Sequence, residues 1–233
     1  MSERTTIAFA DTAAEIAGVA LASAGTLLSL GGELSPAGAP QLEGGGGAWT
    51  LGSAGSYALS LDGLGEPASL HSGASVQLCR ARGSVAGHEF DAFATITAAP
   101  AERELALERS LAVSFDHELS FALLAQRAAD GAGHGDEQLE AAVFRGDPPV
   151  ASLIERPRLS TTYLGEGVPS HAGVELWQDE ESEYALRIGG EALTNGELIH
   201  ADGARSRVVF MAWHHERHRG LGSYTLTRAS AAG

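Results

Sequence analysis

The chain has 233 residues, 44% of them apolar, enough for one large β domain or two small ones with a buried core. Its 30 acidic residues against 15 basic ones give a formal charge of −15, and with 6% aromatics such a surface repels a nucleic-acid backbone. Every basic residue is arginine, which excludes Schiff-base and lysine–phosphate chemistry, and the single cysteine excludes an internal disulfide and a stapled secreted domain.

In chain order, short runs rich in Val, Leu, Ile, Thr, Phe and Tyr alternate with Gly, Pro, Asp and Asn, the spacing of an all-β fold. The runs fall at 5–10, 15–22, 25–31, 47–52, 55–61, 74–82, 84–97, 103–115, 118–127, 137–145, 150–155, 158–164, 172–178, 183–193, 197–200, 205–216 and 222–228. IAGVALASAGTLLSLGG is uncharged, but it is diluted by small residues and preceded by Asp11 and Glu15, so it reads as a hairpin turning near Ala24-Gly25 and not as a membrane span. SPAGAPQLEGGGG (35–47) and RAADGAGHGDEQ (127–138) lack apolar periodicity and read as surface loops. Cys79, inside an apolar run, reads as a small core residue.

In GHEFDAF, alternation sends His88 and Phe90 to one face and Glu89, Asp91 and Phe93 to the other. His88 and Asp91 are candidate acid–base residues if that region lines a cavity, and a wet outer face is the competing reading. Leu105, Leu107, Leu111 and Val113 share odd positions, so AAPAERELALERSLAV reads as a strand, with a short helix as the alternative. Asp116-His117-Glu118 reads as a hairpin tip, QDEESEY (178–184) as a charged one, and LTNGEL, FRGDPPV and HADGARSR as turns.

The run Val208 to Trp213 is apolar without interruption, which predicts a strand covered on both sides. It runs into His214-His215-Glu216-Arg217-His218. A zincin helix needs His-Glu-x-x-His, and this chain is one residue short. On a strand, residues two apart on one face lie ~7 Å apart and residues four apart ~13 Å, so His214, Glu216 and His218 do not all reach one ion, and no metal is assigned. The stretch ends a strand toward solvent, or else His214 or His215 joins Trp213 in lining a ligand cavity. The elbow Gly-x-Ser-x-Gly and lysine-bearing phosphate loops are missing.

At PRLSTTYLGEGVPSHAGVELW (157–177) and RVVFMAWHHERHRGLGSYTLTR (207–228) the chain resembles the hydroxyneurosporene-synthase-like (AttH-like, carotenoid hydratase) β-barrel superfamily, over residues 100 to 228 in particular. The resemblance implies an all-β, antiparallel fold of two lipocalin-like domains packed side by side, with an apolar pocket for a terpenoid, polyketide or lipid-like molecule. The Ala98–Ala101 turn divides the chain into domains at 1–99 and 100–233. Binding of such a molecule is the leading expectation. A cofactor-independent hydratase, isomerase or cyclase working by acid–base catalysis is the alternative, and an interaction module without a cavity is the third. The candidate residues are His88, Asp91 and His214 for catalysis and Tyr163, Trp177, Trp213 and His215 for lining the ligand. A cytoplasmic protein without cofactor or membrane span is expected, with a homodimer through flat edge strands left open.

Overall fold

The structure, a computed structural model, describes residues 3–101, 104–116, 119–131, 133–178 and 184–229. The first sheet is made of β1 (Glu3–Asp11), β2 (Ile16–Leu21), β3 (Gly25–Leu30), β4 (Glu33–Ala37), β5 (Gln41–Gly45), β6 (Ala48–Ser53), β7 (Tyr57–Gly63), the two-residue β8 (Ala68–Ser69), β9 (Ser75–Val85) and β10 (His88–Pro100). The second is made of β11 (Leu105–Asp116), β12 (Leu119–Ala128), β13 (Gln138–Arg145), β14 (Val150–Ile154), β15 (Arg156–Leu164), β16 (Val168–Trp177), β17 (Leu186–Ile199), β18 (Arg205–His215) and β19 (His218–Arg228). The described strand pairings are antiparallel.

Connectivity forces both sheets to curl. The first runs in the order β4-β3-β2-β1-β10-β9-β7-β6-β5, so β4 and β5 are its opposite edges, yet only residues 38–40 join them. Four Cα steps reach about 15 Å at most, whereas the edges of a flat nine-stranded sheet stand about 38 Å apart. The second sheet repeats the order, β14-β13-β12-β11-β19-β18-β17-β16-β15, and a single residue, Glu155, joins its edges. Each sheet therefore bends its edges toward one another, and its inner face encloses an apolar core.

The two barrels lie side by side, and the strands between them are buried on both faces. From β1, Ile7 and Phe9 enter the first core while Ala8 and Ala10 face the second sheet. From β18, Val209, Met211 and Trp213 enter the second core while Val208 and Phe210 meet Val19, Leu21 and Leu27. The apolar run predicted to be covered on both sides is covered from Val208 to Met211, and its outward face opens at the exposed Ala212. A second seam packs Val76, Leu78 and Phe93 against Ala122, Leu124 and Phe144.

Several boundaries differ from the predicted ones. The loop predicted at 35–47 contains the end of β4 and all of β5, two exposed edge strands too polar to show an apolar alternation. The turn predicted at LTNGEL is absent. β17 passes through Asn195-Gly196 with a register shift between Ala192 and Thr194. A side chain at Gly196 would come within 2.7 Å of Leu34 Cδ2, so this glycine serves a close approach between sheets and not a turn. The break placed near Gly83 lies instead at Ala86-Gly87, and β10 continues through Pro100, paired with Glu3. The last strand begins at His218 because Glu216 and Arg217 form a two-residue hairpin turn, with Glu216 at φ 52°. AAPAERELALERSLAV supplies β11, a strand as its alternation predicts. His117 and Glu118 of one predicted tip, and residues 179–183 of the other, lie outside the described residues.

Candidate functional site

The residues singled out in the sequence are dispersed. His88 opens β10 and is exposed. Asp91, on the opposite face of that strand, points out of the first barrel, with Arg80 Nε at 2.5 Å and Arg82 Nε at 3.3 Å from its Oδ1. The hydrogen bond from Arg80 holds its carboxyl below the usual carboxylate range. His88 and Asp91 are therefore not brought together. His214 lies on the outer face of the second barrel over Gly189, in an open groove of ≈ 510 Å³ that also holds Arg158, Glu175 and Arg187. Trp177 follows Leu176 and projects from the other side of β16, away from the core that Leu176 enters.

Tyr163, Trp213 and His215 do face the second barrel. Trp213 is 1% exposed and meets Phe121 edge-on, with centroids 5.9 Å apart at 90°. His215, one inward step further along β18, reaches the mouth. There Val143, Ile154, Leu176 and Leu186 form the apolar wall of a cleft of ≈ 270 Å³, and Arg145, Ser152, Tyr184 and Glu216 supply its polar rim. The imidazole sits edge-on to Phe115 at 6.4 Å, and its Nδ1 lies 2.9 Å from the backbone carbonyl oxygen of Arg187. A carbonyl only accepts, so Nδ1 carries the hydrogen and donates it. In the neutral ring Nε2 is then left with a free lone pair, the tautomer of a general base.

The opposite end of the same barrel is closed by a charged cluster. Arg109 Nη2 pairs with Glu137 Oε2, and their side chains are 5% and 0% exposed. Arg109 Nη1 donates at 3.4 Å to both Tyr224 Oη and Thr161 Oγ1, which lie 3.1 Å from each other. Glu137 Oε1 accepts from Nδ1 of the exposed His134 at 2.6 Å, on the 3-10 turn His134–Asp136. Burial pushes the Tyr224 phenol up to about 12, although Arg109 works in the other direction, so it stays a donor through the neutral range. Tyr163 stands close enough to Tyr224 to affect its ionisation. Sequence reasoning passed over this cluster, but Arg109 was legible: it occupies the inward odd position between Leu107 and Leu111. Glu137 carried no such signal, because it precedes its strand.

Between the two ends the inner face is apolar, formed by Leu111, Val113, Leu123, Val174, Ile188 and Met211. Cys79 is buried in the first core with its thiol pushed up to about 12 by burial, and so is not a nucleophile at neutral pH. Among the described residues, no three His, Cys, Asp or Glu side chains gather as a metal site, and no helix is long and apolar enough to cross a membrane.

No protein-family model matches the chain, and no curated protein does. Solved structures do. Kievitone hydratase from Nectria haematococca superposes with a TM-score of 0.59 at 9% identity, over 98% of this chain and 89% of that one. CghA, solved with Sch210972, superposes with a TM-score of 0.60 at 12% identity, over 100% and 90%. At such identities the likeness is one of fold alone: two curled antiparallel β-sheets, lipocalin-like, side by side.

Proposed function

We propose that the chain takes an apolar small molecule, of terpenoid, polyketide or lipid-like character, into the mouth of its second barrel and transforms it by acid–base chemistry. The unit that does so is the second of two domains, residues 1–99 and 100–233. The observation that carries this reading is His215: a ring oriented by Phe115 and the Arg187 carbonyl, its Nδ1 engaged by that carbonyl, beside a cleft of ≈ 270 Å³ with an apolar wall and a polar rim. Ligand sites combine apolar walls with convergent polar groups, and this cleft has both. Hydration, isomerisation and cyclisation cause no net oxidation and need chiefly a proton removed at one atom and returned at another, which one imidazole can do. The fold shared with a hydratase is compatible with this reading. Simple carriage of the same molecule is the coarser form of the proposal.

The test is to extract purified protein with organic solvent, identify the bound compound by mass spectrometry, and return it to fresh protein. Conversion by the wild type that disappears in His215→Gln, with folding intact, supports catalysis at the mouth. Unaltered recovery supports carriage. Conversion lost in His88→Ala or His214→Ala but kept in His215→Gln moves the chemistry elsewhere, and a protein that neither retains nor rebinds an apolar compound refutes the whole reading.

A further inference from the structure

Resting on that ligand site, the geometry points to the class of molecule it selects: an apolar body bearing a hydroxyl, whose O–H donates to His215 Nε2. The Arg187 carbonyl, 2.9 Å from Nδ1, fixes which nitrogen carries the proton. The nitrogen left over is an acceptor, and no other described side chain or backbone group donates to it. The ring cannot flip to reverse these roles without giving up the carbonyl bond and its edge contact with Phe115.

The rest of the lining agrees with this polarity. Val143, Ile154, Leu176 and Leu186 offer no hydrogen-bonding side chain, so an O–H that enters among them depends on His215 or on a polar side chain of the rim for its acceptor. A bare carbonyl or ether oxygen brings a second acceptor against Nε2, which costs affinity because two lone pairs then face each other without a proton. Arg145, Glu216 and Tyr184 also line the mouth. Glu216, on the hairpin turn at the rim, and the Ser152 and Tyr184 hydroxyls can also accept from a hydroxyl, and loss of the imidazole separates them from His215.

The experiment compares three probes of one shape, naphthalene, 1-naphthol and 1-methoxynaphthalene, by equilibrium dialysis against the full chain at pH 8. The expected result is 1-naphthol bound roughly 3- to 10-fold more tightly than its methyl ether, the contribution of one neutral hydrogen bond. In His215→Phe, which keeps a ring against Phe115, the two should bind alike. Equal affinities at pH 8 overturn the inference while leaving the site in place. A preference that survives in His215→Phe assigns the acceptor to another lining group and also overturns it. Failure of all three probes to bind counts against the ligand site itself.

Discussion

Glu137→Gln tests the closed end of the second barrel most directly. The substitution keeps the shape of the side chain and an acceptor oxygen but removes the charge that compensates Arg109. Both partners are almost fully enclosed, at 5% and 0% exposure, so solvent does little to screen the loss. Breaking a buried pair from one side costs about 3–5 kcal/mol, because the surviving ion is left uncompensated. For a chain of this size, at roughly 2–4 °C per kcal/mol, the melting temperature should fall by about 6–20 °C. Arg109→Met alone should cost a comparable amount. Arg109→Met combined with Glu137→Gln should recover most of the loss, since a neutral interior no longer holds an orphan charge. The readout is thermal and urea unfolding of the four proteins as a double-mutant cycle, in which the double mutant should lose less than either single mutant and far less than their sum. Single losses below about 1 kcal/mol, or additive ones, would refute the claim that these side chains form a buried, mutually dependent pair.

Three further outcomes are expected. Gly190→Ala would put a methyl group 2.7 Å from Trp213 Cε3, so it should destabilise by about 1–3 kcal/mol and shift the tryptophan emission. His200 is held below the ordinary histidine range by burial, with Asp202 and Glu108 opposing, so the unfolded chain takes up its proton first. Its contribution is therefore complete above the unfolded value of about 6.5 and is lost as the pH falls through the folded value, and a melting series from pH 8 to 5 should decline more steeply in the wild type than in His200→Gln. Cys79, with its thiol near 12, should resist iodoacetamide at pH 8 in the folded chain and react fully in urea; rapid labelling of the native protein would contradict its burial.

The sequence made the interior strands legible because their burial leaves a pattern. Val208 to Trp213 shows no polar break, and the structure buries both faces of the run from Val208 to Met211. The odd-numbered leucines of β11 announce a single inward side. The edges were hidden for the complementary reason. β4 and β5 lie mostly exposed, so nothing selects apolar residues there, and their Gly and Pro content resembles a loop. Asn195-Gly196 carried a turn signal that tertiary packing overrode, because the glycine was needed against Leu34 and Leu27. The same limits apply to the site. His215 was legible as a companion of Trp213 on one face of a strand, but the bond that sets its tautomer comes from a backbone carbonyl 28 residues away. Arg109 broke an apolar face and could have been noticed from that alone. Its partner Glu137 lies beyond a loop, and only the folded chain brings the two together.

The first barrel serves as an internal control for the second. The nine main strands of each follow the same order, so both curl and close by the same connections. The first does so with a neutral interior: Thr26 and Tyr57 share a buried hydrogen bond at 2.9 Å, and Phe9 packs against Phe90 and Tyr57. Its ion pairs Arg80–Asp91 and Arg82–Asp62 are at least partly exposed, on outward-facing residues of the sheet. This architecture thus closes without charge inside, and enclosing a guanidinium and a carboxylate carries a desolvation cost that apolar residues would avoid. In the second barrel those charges lie on one side of an apolar core, and an oriented imidazole lies on the other. What distinguishes the two barrels is therefore not what holds the fold together, and it is in the second that a function beyond closure is to be sought.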